Sequence, residues 1–174
     1  MKKFKGYIQV YTGDGKGKTT AAIGLSMRAI GAGLKVAFFQ FFKTGSSSEI
    51  KILKSFYPQI YYKNFGKKSF IKNQRDEKTQ KLILQGWEEV KELVKSKLYN
   101  IIILDEITYA LNLGIIKLKE FLDLLRNKPQ DLEIVITGRS APQELIEVAD
   151  LVTEMKKIKH YYEKGIKARK GIEK

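Results

Sequence analysis

The chain has 174 residues, 33 Lys+Arg against 19 Asp+Glu, a formal net charge of +14 and no cysteine. This length suits one domain with a sizeable core, and the cysteine count excludes a disulfide framework and a thiolate metal site. The charge points to an anionic partner such as nucleic acid or polyphosphate, or to a solvated lysine-rich surface, which the even spread of lysines favours.

Residues 1–5 run into the first strand without an apolar signal region. No apolar run is long enough to cross a bilayer. The expectation is a cytoplasmic protein with no membrane partner.

Residues 7–11, Tyr-Ile-Gln-Val-Tyr, predict a strand. A glycine-rich turn over 12–20 follows, and a helix over 18–30. Strand, glycine turn and helix in that order form the phosphate-cradle arrangement. Gly13, Gly15 and Gly17 are expected to take φ > 0 and to admit an anion where a Cβ would block it. The amides of 15–19 then face one concavity at the positive helix end. Lys18 is placed to reach a phosphate oxygen, and the Thr19 hydroxyl to hold Mg²⁺ (or Mn²⁺). Asp14, Lys16 and Thr20 complete the expected nucleotide-binding turn. The usual pattern has four residues between its first glycine and the Gly-Lys pair. Gly13 and Gly17 are separated by three, so the loop is one residue short and points to an unusual nucleotide pose. A merely basic Gly/Lys turn is the alternative. The register of strand, Gly-Lys-Thr-Thr and helix argues against it.

The helix carries Ala22, Leu25, Ala29 and Ile30 near helical spacing, with Arg28 upon it, and glycines at 31 and 33 end it. Residues 35–42 form a nearly continuous apolar run, as a buried parallel strand requires. The loop over 43–48 leaves the strand end where doubly wound sheets place ligands. A short helix over 49–56 and a strand over 59–65 come next. The basic stretch 66–75 contains Phe70 and Ile71 and is either a substrate loop or a solvated one. Over 76–97, Leu82, Ile83, Trp87, Val90, Leu93 and Val94 make an apolar helical stripe, with Trp87 in the core.

A strand over 100–104 delivers Asp105 and Glu106 to its carboxyl end. In phosphate-loop proteins this strand helps to hold Mg²⁺. Helices over 107–113 and 117–127 precede a strand over 132–137. Arg139, just beyond, is either a phosphate contact or a surface arginine. A helix over 142–149, with Pro142 at its start, leads to an edge strand over 151–155. The basic tail, 156–174, holds the sole histidine, His160, read as structural. No repeat or second domain is visible. The fold class is α/β: a single-domain phosphate-loop NTPase-like fold, recombinase-like, with a mostly parallel twisted sheet and helices on both faces.

These residues resemble the ATP:corrinoid adenosyltransferases of cobalamin synthesis and salvage. The resemblance is carried by the short loop from Gly13 to Thr20 and by Val36-Ala37-Phe38-Phe39-Gln40-Phe41 with Lys43. It extends to Leu104-Asp105-Glu106-Ile107-Thr108-Tyr109 and, most specifically, to Val135-Ile136-Thr137-Gly138-Arg139 and the segments up to Glu173. It implies transfer of the 5′-deoxyadenosyl group of ATP, the co-substrate, to the cobalt(I) of a reduced corrinoid, with release of tripolyphosphate. It also implies an ATP reversed relative to most phosphate-loop enzymes. The implied catalytic set is Lys18, Thr19 and Glu106. Mg²⁺ is carried by Thr19 with Glu106 or Asp105, and Lys16, Lys18, Arg28 and Arg139 join the loop on the nucleotide.

The implied partners are a reduced cobalamin, cobinamide or cobyrinic acid a,c-diamide, a reductase such as a flavoprotein, and a second copy in a homodimer. Nucleic acid is not among them. The sequence departs from the family where an N-terminal segment can fold over the corrinoid, since the chain starts almost at the first strand. The corrinoid-facing loop should correspond to 66–71, with Phe70 and Ile71 as candidates. A nucleic-acid-stimulated ATPase using Glu106 to activate water and a small-molecule kinase are the competing classes.

Overall fold

The computed structural model describes residues 4–66 and 76–173. In chain order its elements are β1 (Ile8–Thr12), α1 (Lys18–Gly31), β2 (Val36–Phe41), α2 (Ser48–Ser55), β3 (Ile60–Phe65) and α3 (Glu77–Ser96). There follow β4 (Ile101–Asp105), α4 (Ile107–Asn112), α5 (Leu118–Arg126), β5 (Glu133–Thr137), α6 (Gln143–Val148), β6 (Leu151–Glu154) and a 3₁₀ turn (Tyr161–Lys164). Each helix and strand expected from the sequence is present, with ends within one residue of the expectation. The 3₁₀ turn in the tail is an addition. His160 starts it by accepting the Tyr162 N–H at its Nδ1.

Six parallel strands form one sheet in the order β3-β2-β4-β5-β1-β6. Side chains alternate across a pleated sheet, and each apolar run therefore supplies two cores. Val36, Phe38, Ile101, Ile103 and Val135 face α1 and α2, meeting Ala22, Ala29, Ile50 and Leu53. Ala37, Phe39, Phe41, Ile102, Leu104, Ile134 and Ile136 face the other way, onto Ile83, Trp87, Val90, Phe121 and Leu145. This two-sided burial is why β2, β4 and β5 read as continuous apolar segments. Trp87 is fully buried, with its ring 5.4 Å from Phe121 and its Nε1 donating to Glu120 at 2.8 Å. Asp76 caps α3 by accepting the Thr79 N–H.

The order of strands positions everything that follows. β5 lies between β1, which feeds the glycine loop, and β4, which ends in Asp105. Residues at the carboxyl ends of β1, β5 and β4 are therefore lined up side by side, with β2 beyond β4.

The packing of α3 on the sheet depends on Gly86. A Cβ built there would lie 2.6 Å from Cδ2 of Phe65, whose ring stacks on Phe39 and Phe41 with centroids 6.0 and 5.5 Å away. Alanine gains about 1 kcal/mol of helix propensity, but overpacking a fixed ring costs about 1–3 kcal/mol. Gly86→Ala is expected to lower stability by about 1–2 kcal/mol and Tm by roughly 2–8 °C in a thermal melt. An unchanged or higher Tm would show that the ring yields.

Candidate functional site

Asp105 is fully buried at the end of β4, yet its carboxylate is surrounded by donors. Oδ1 accepts from Thr19 Oγ1 at 2.8 Å and Thr137 Oγ1 at 2.7 Å. Oδ2 accepts from Gln40 Nε2 and Lys43 Nζ, both at 3.0 Å. The donors come from α1, β5, β2 and the loop after β2. Gln40 is held in turn by the Tyr62 hydroxyl on β3 at 2.9 Å, and burial pushes the pKa of that phenol up. A buried carboxylate left short of donors would be costly. This one ties the ends of β2, β4 and β5 to the first turn of α1.

Two bends bring the charges together. Phe42 at φ 57 and Glu106 at φ 63 sit in the left-handed region just past β2 and β4, a conformation that non-glycine residues enter at a cost. The bend at Glu106 is held by its N–H donating to Thr137 Oγ1 at 3.0 Å. That at Phe42 is held by its N–H donating to the Phe65 carbonyl and by edge packing on Tyr109. Beyond Phe42, the Lys43 ammonium lies 2.8 Å from Thr19 Oγ1, 3.0 Å from Asp105 Oδ2 and 3.6 Å from Glu106 Oε1. Burial works against its charge, but the Asp105 and Glu106 carboxylates outweigh that and hold its pKa above the usual lysine value.

The glycine loop lies against the end of β6. Gly13 and Gly17 have φ of 95° and 123°, as expected. Gly15 does not have a positive φ, which corrects the expectation for it. Its missing Cβ makes room for the chain at 155–156: a Cβ would sit 2.5 Å from the Met155 carbonyl oxygen, which also accepts the Gly15 N–H at 2.6 Å. Lys18 is buried, and its Nζ donates to the carbonyls of Gly13 and Gly15 at 2.6 and 2.7 Å. Burial lowers its pKa, with Glu106 opposing. Gly17 caps α1 without a side-chain acceptor, and the first turn of α1 carries no acid. Its N–H end can therefore receive an anion.

A cavity of about 460 Å³ opens above this loop. Asp14, Gly15, Lys16, Gly17, Lys18, Thr19 and Thr20 line it, together with Lys43, Glu106 and Arg139. Gly13 and Asp105 stand just behind the lining, holding Lys18 and Thr19. Arg139, left open by the sequence, is on the cavity wall. Arg28 is not. It is exposed near the far end of α1, ten residues and roughly 15 Å along the helix from Lys18 at 1.5 Å per residue. Phe70 and Ile71 lie outside the described residues.

Sequence reasoning missed two contributors. Lys43 belonged to a quoted motif but carried no assigned role. The tail, read only as basic, folds back over the loop, so that His160, Gly171, Ile172 and Glu173 also line the cavity. Lys16 Nζ donates to the Tyr161 hydroxyl and the Ile172 carbonyl at 3.2 and 3.3 Å and lies 3.5 Å from Glu173. The Lys157 N–H donates to Asp14 and holds that carboxyl below its usual range. Glu173 also accepts from Arg169 and Tyr161. The family-like ending through Glu173 was the available signal.

The family model described as ATP:corrinoid adenosyltransferase BtuR/CobO/CobP matches residues 4–173. A corrinoid adenosyltransferase of Sinorhizobium sp. is 37% identical over 172 residues, 97% of this chain and 80% of that protein. Those of Pseudomonas aeruginosa and Escherichia coli K12 are 34% and 33% identical over 170 residues, 97% of this chain and 84% and 86% of theirs.

The clasp on Glu173 has a defined pH behaviour. Side-chain bonds from Arg169 and Tyr161, then the Arg169 N–H, hold its carboxyl well below the usual range. A depressed carboxyl contributes stability above its unfolded pKa and loses it as pH falls through the folded value. The Arg169 amide, which donates to Glu173 Oε2 at 2.7 Å, is expected to keep one hydrogen-exchange protection factor from about pH 7 to about pH 5, above the unfolded glutamate value near about 4.3. Glu173→Ala should remove that protection. Loss in the wild type over the same range would contradict the clasp.

Proposed function

The chain belongs to the ATP:corrinoid adenosyltransferase family, and on that footing we propose that it moves the 5′-deoxyadenosyl group of ATP onto the cobalt(I) of a reduced corrinoid. The observation that carries the assignment of the site is the convergence of a phosphate-loop helix end, Lys16, Lys18, Lys43, Arg139 and the acidic residue Glu106 on one cavity.

In this reaction the nucleophile belongs to the substrate. The electron pair of cobalt(I) forms the bond to C5′, the C5′–O bond breaks, and the triphosphate leaves with the electron pair of that broken bond. The protein needs no nucleophile of its own. Its work is to fix C5′ in line with the attacking metal and to stabilise the charge on the departing triphosphate.

The chain has groups suited to that work. The open N–H groups at the start of α1 offer fixed dipoles to phosphate oxygens, while the Gly15 amide, expected to join them, is taken by the Met155 carbonyl. Lys18, held at two loop carbonyls, can exchange those acceptors for phosphate. Lys16 and Arg139 add positive charge on the cavity wall.

The donor set also fits a divalent cation. A hydroxyl, Thr19, and two carboxylates, Asp105 and Glu106, already surround a positive charge, the ammonium of Lys43. Oxygen donors of this kind suit Mg²⁺ or Mn²⁺. Thr19 and Glu106 would hold the ion directly, with Asp105 orienting Thr19, and the ion supplies neutralisation of the leaving phosphates. Arg28 drops out of this reading because it stands at the wrong end of its helix.

Reduction of cobalt(II) to cobalt(I) needs a low-potential electron donor, so the reading includes a reductase such as a flavoprotein. It also includes a cytoplasmic site, where ATP is supplied, and a homodimer on the strength of the family resemblance.

Product analysis tests the reaction. Incubation with MgATP and a chemically reduced corrinoid should yield tripolyphosphate and an alkylated corrinoid. Recovery of only ADP and phosphate would reject the proposal in favour of an ATPase. Removal of one preorganised donor commonly costs about 10²–10³ in rate. Lys18→Ala should therefore lower kcat/KM by about that factor with folding intact. Glu106→Gln should lower turnover most at limiting Mg²⁺, and near-normal turnover there would remove Glu106 from the metal role.

A further inference from the structure

The position where oxygen donors converge is held by a cation that the chain itself supplies. The Lys43 ammonium contacts Thr19 Oγ1 at 2.8 Å and Asp105 Oδ2 at 3.0 Å, and lies 3.6 Å from Glu106 Oε1. Thr19 Oγ1 and the Glu106 carboxylate are the donors assigned above to a divalent ion, and Asp105 is the carboxylate that orients Thr19. The ammonium and that ion cannot share the place, because two cations at such separations repel strongly wherever water does not screen them.

Lys43 is also not a loose surface lysine. Its backbone is pinned on both sides. The Phe42 N–H donates to the Phe65 carbonyl, and Asn64 Nδ2 donates to the Lys43 carbonyl at 3.2 Å. Gly66 packs so closely on it that a Cβ at 66 would fall 2.4 Å from that carbonyl oxygen. The αL turn at Phe42 aims the following side chain back over the strand ends. Its ammonium still borders the cavity that the loop faces, so a swing of the side chain alone would carry it to an anion bound there.

We propose that Lys43 is a built-in counter-cation that keeps the metal position closed until nucleotide arrives. The divalent ion then enters together with the phosphates of ATP, and the displaced ammonium is received by the triphosphate. Before binding, Lys43 balances the charge of Asp105 and Glu106 and holds Thr19 in place. After binding, the same charge is added to the leaving group. Metal uptake is thereby made conditional on the triphosphate, and free divalent cations compete poorly for an otherwise acidic pocket. This inference rests on the reading of Thr19 and Glu106 as metal donors, with Asp105 orienting Thr19.

Mn²⁺ binding to the full chain without corrinoid, followed by loss of the free-ion EPR signal, tests it. Wild type should bind Mn²⁺ poorly alone and bind MnATP readily. Lys43→Gln, which keeps a hydrogen-bond donor but loses the charge, should bind Mn²⁺ alone roughly tenfold or more tightly than wild type. Lys43→Arg, which keeps the charge, should behave as wild type does. Equal Mn²⁺ affinity of wild type and Lys43→Gln without nucleotide overturns the proposal. Should Lys43→Gln fail to fold, wild type decides alone: one Mn²⁺ per chain taken up without nucleotide as tightly as with ATP overturns it. Failure of wild type to bind MnATP, or MnATP binding indifferent to Thr19→Ala, overturns instead the donor assignment beneath it.

Discussion

The carboxylate of Asp105 is the constraint around which the site is built. It has no exposure to water, so each of its oxygens must find donors inside the protein. Those donors are Thr19, Thr137, Gln40 and Lys43. Because they come from different elements, satisfying one buried charge fixes the mutual positions of the glycine-loop helix, the two flanking strands and the loop after β2. Thr137 has a second function in this arrangement, since it also receives the Glu106 N–H and holds the left-handed turn that aims Glu106 outward.

The energetics indicate that this network sets geometry more than it adds stability. Two unit charges 3.0 Å apart, as for Lys43 and Asp105, attract by on the order of 5 kcal/mol at an effective dielectric constant of about 20. Taking the ions out of water costs several kcal/mol each. The gross terms nearly cancel, and water reaching the half-exposed Lys43 weakens the attraction further. Stability comes instead from the two apolar layers on either side of the sheet, where burial is worth about 25 cal/mol per Å². An arrangement so close to balance suits a group that must change partners when an anion arrives. A lysine locked in a deep, strongly favourable pair would resist that exchange.

The tail brings a comparable principle to the outer side of the loop. Lys16 is engaged by Tyr161, Ile172 and Glu173, and Gly15 by Met155. The loop is therefore supported by β6 and the chain beyond it on one side and by the strand-end network on the other. This explains why glycine is needed at 15. Bare backbone lets the chain at 155–156 come within hydrogen-bonding distance, a packing requirement rather than one of backbone angle.

Much of the architecture was legible from local pattern. Apolar runs of the right length announced the strands, the stripe on α3 announced a packed helix with Trp87 inward, and the strand-turn-helix at 7–30 announced an anion cradle. These features are set by neighbours within a few residues, which is what periodicity and turn chemistry encode. The sequence by itself thus determined the elements, the parallel α/β class and the two motifs that bear Lys18, Thr19, Asp105 and Glu106. Only the tertiary structure decided that β5 separates the two motif strands, that Arg28 stands away from the cavity, and that Lys43 and Glu173 belong to it. The contact of Lys43 with Thr19 spans 24 positions and that of Lys16 with the tail at Ile172 spans 156, and their existence depends on strand order and on how charges are satisfied in the fold, neither of which leaves a mark on the local order of residues.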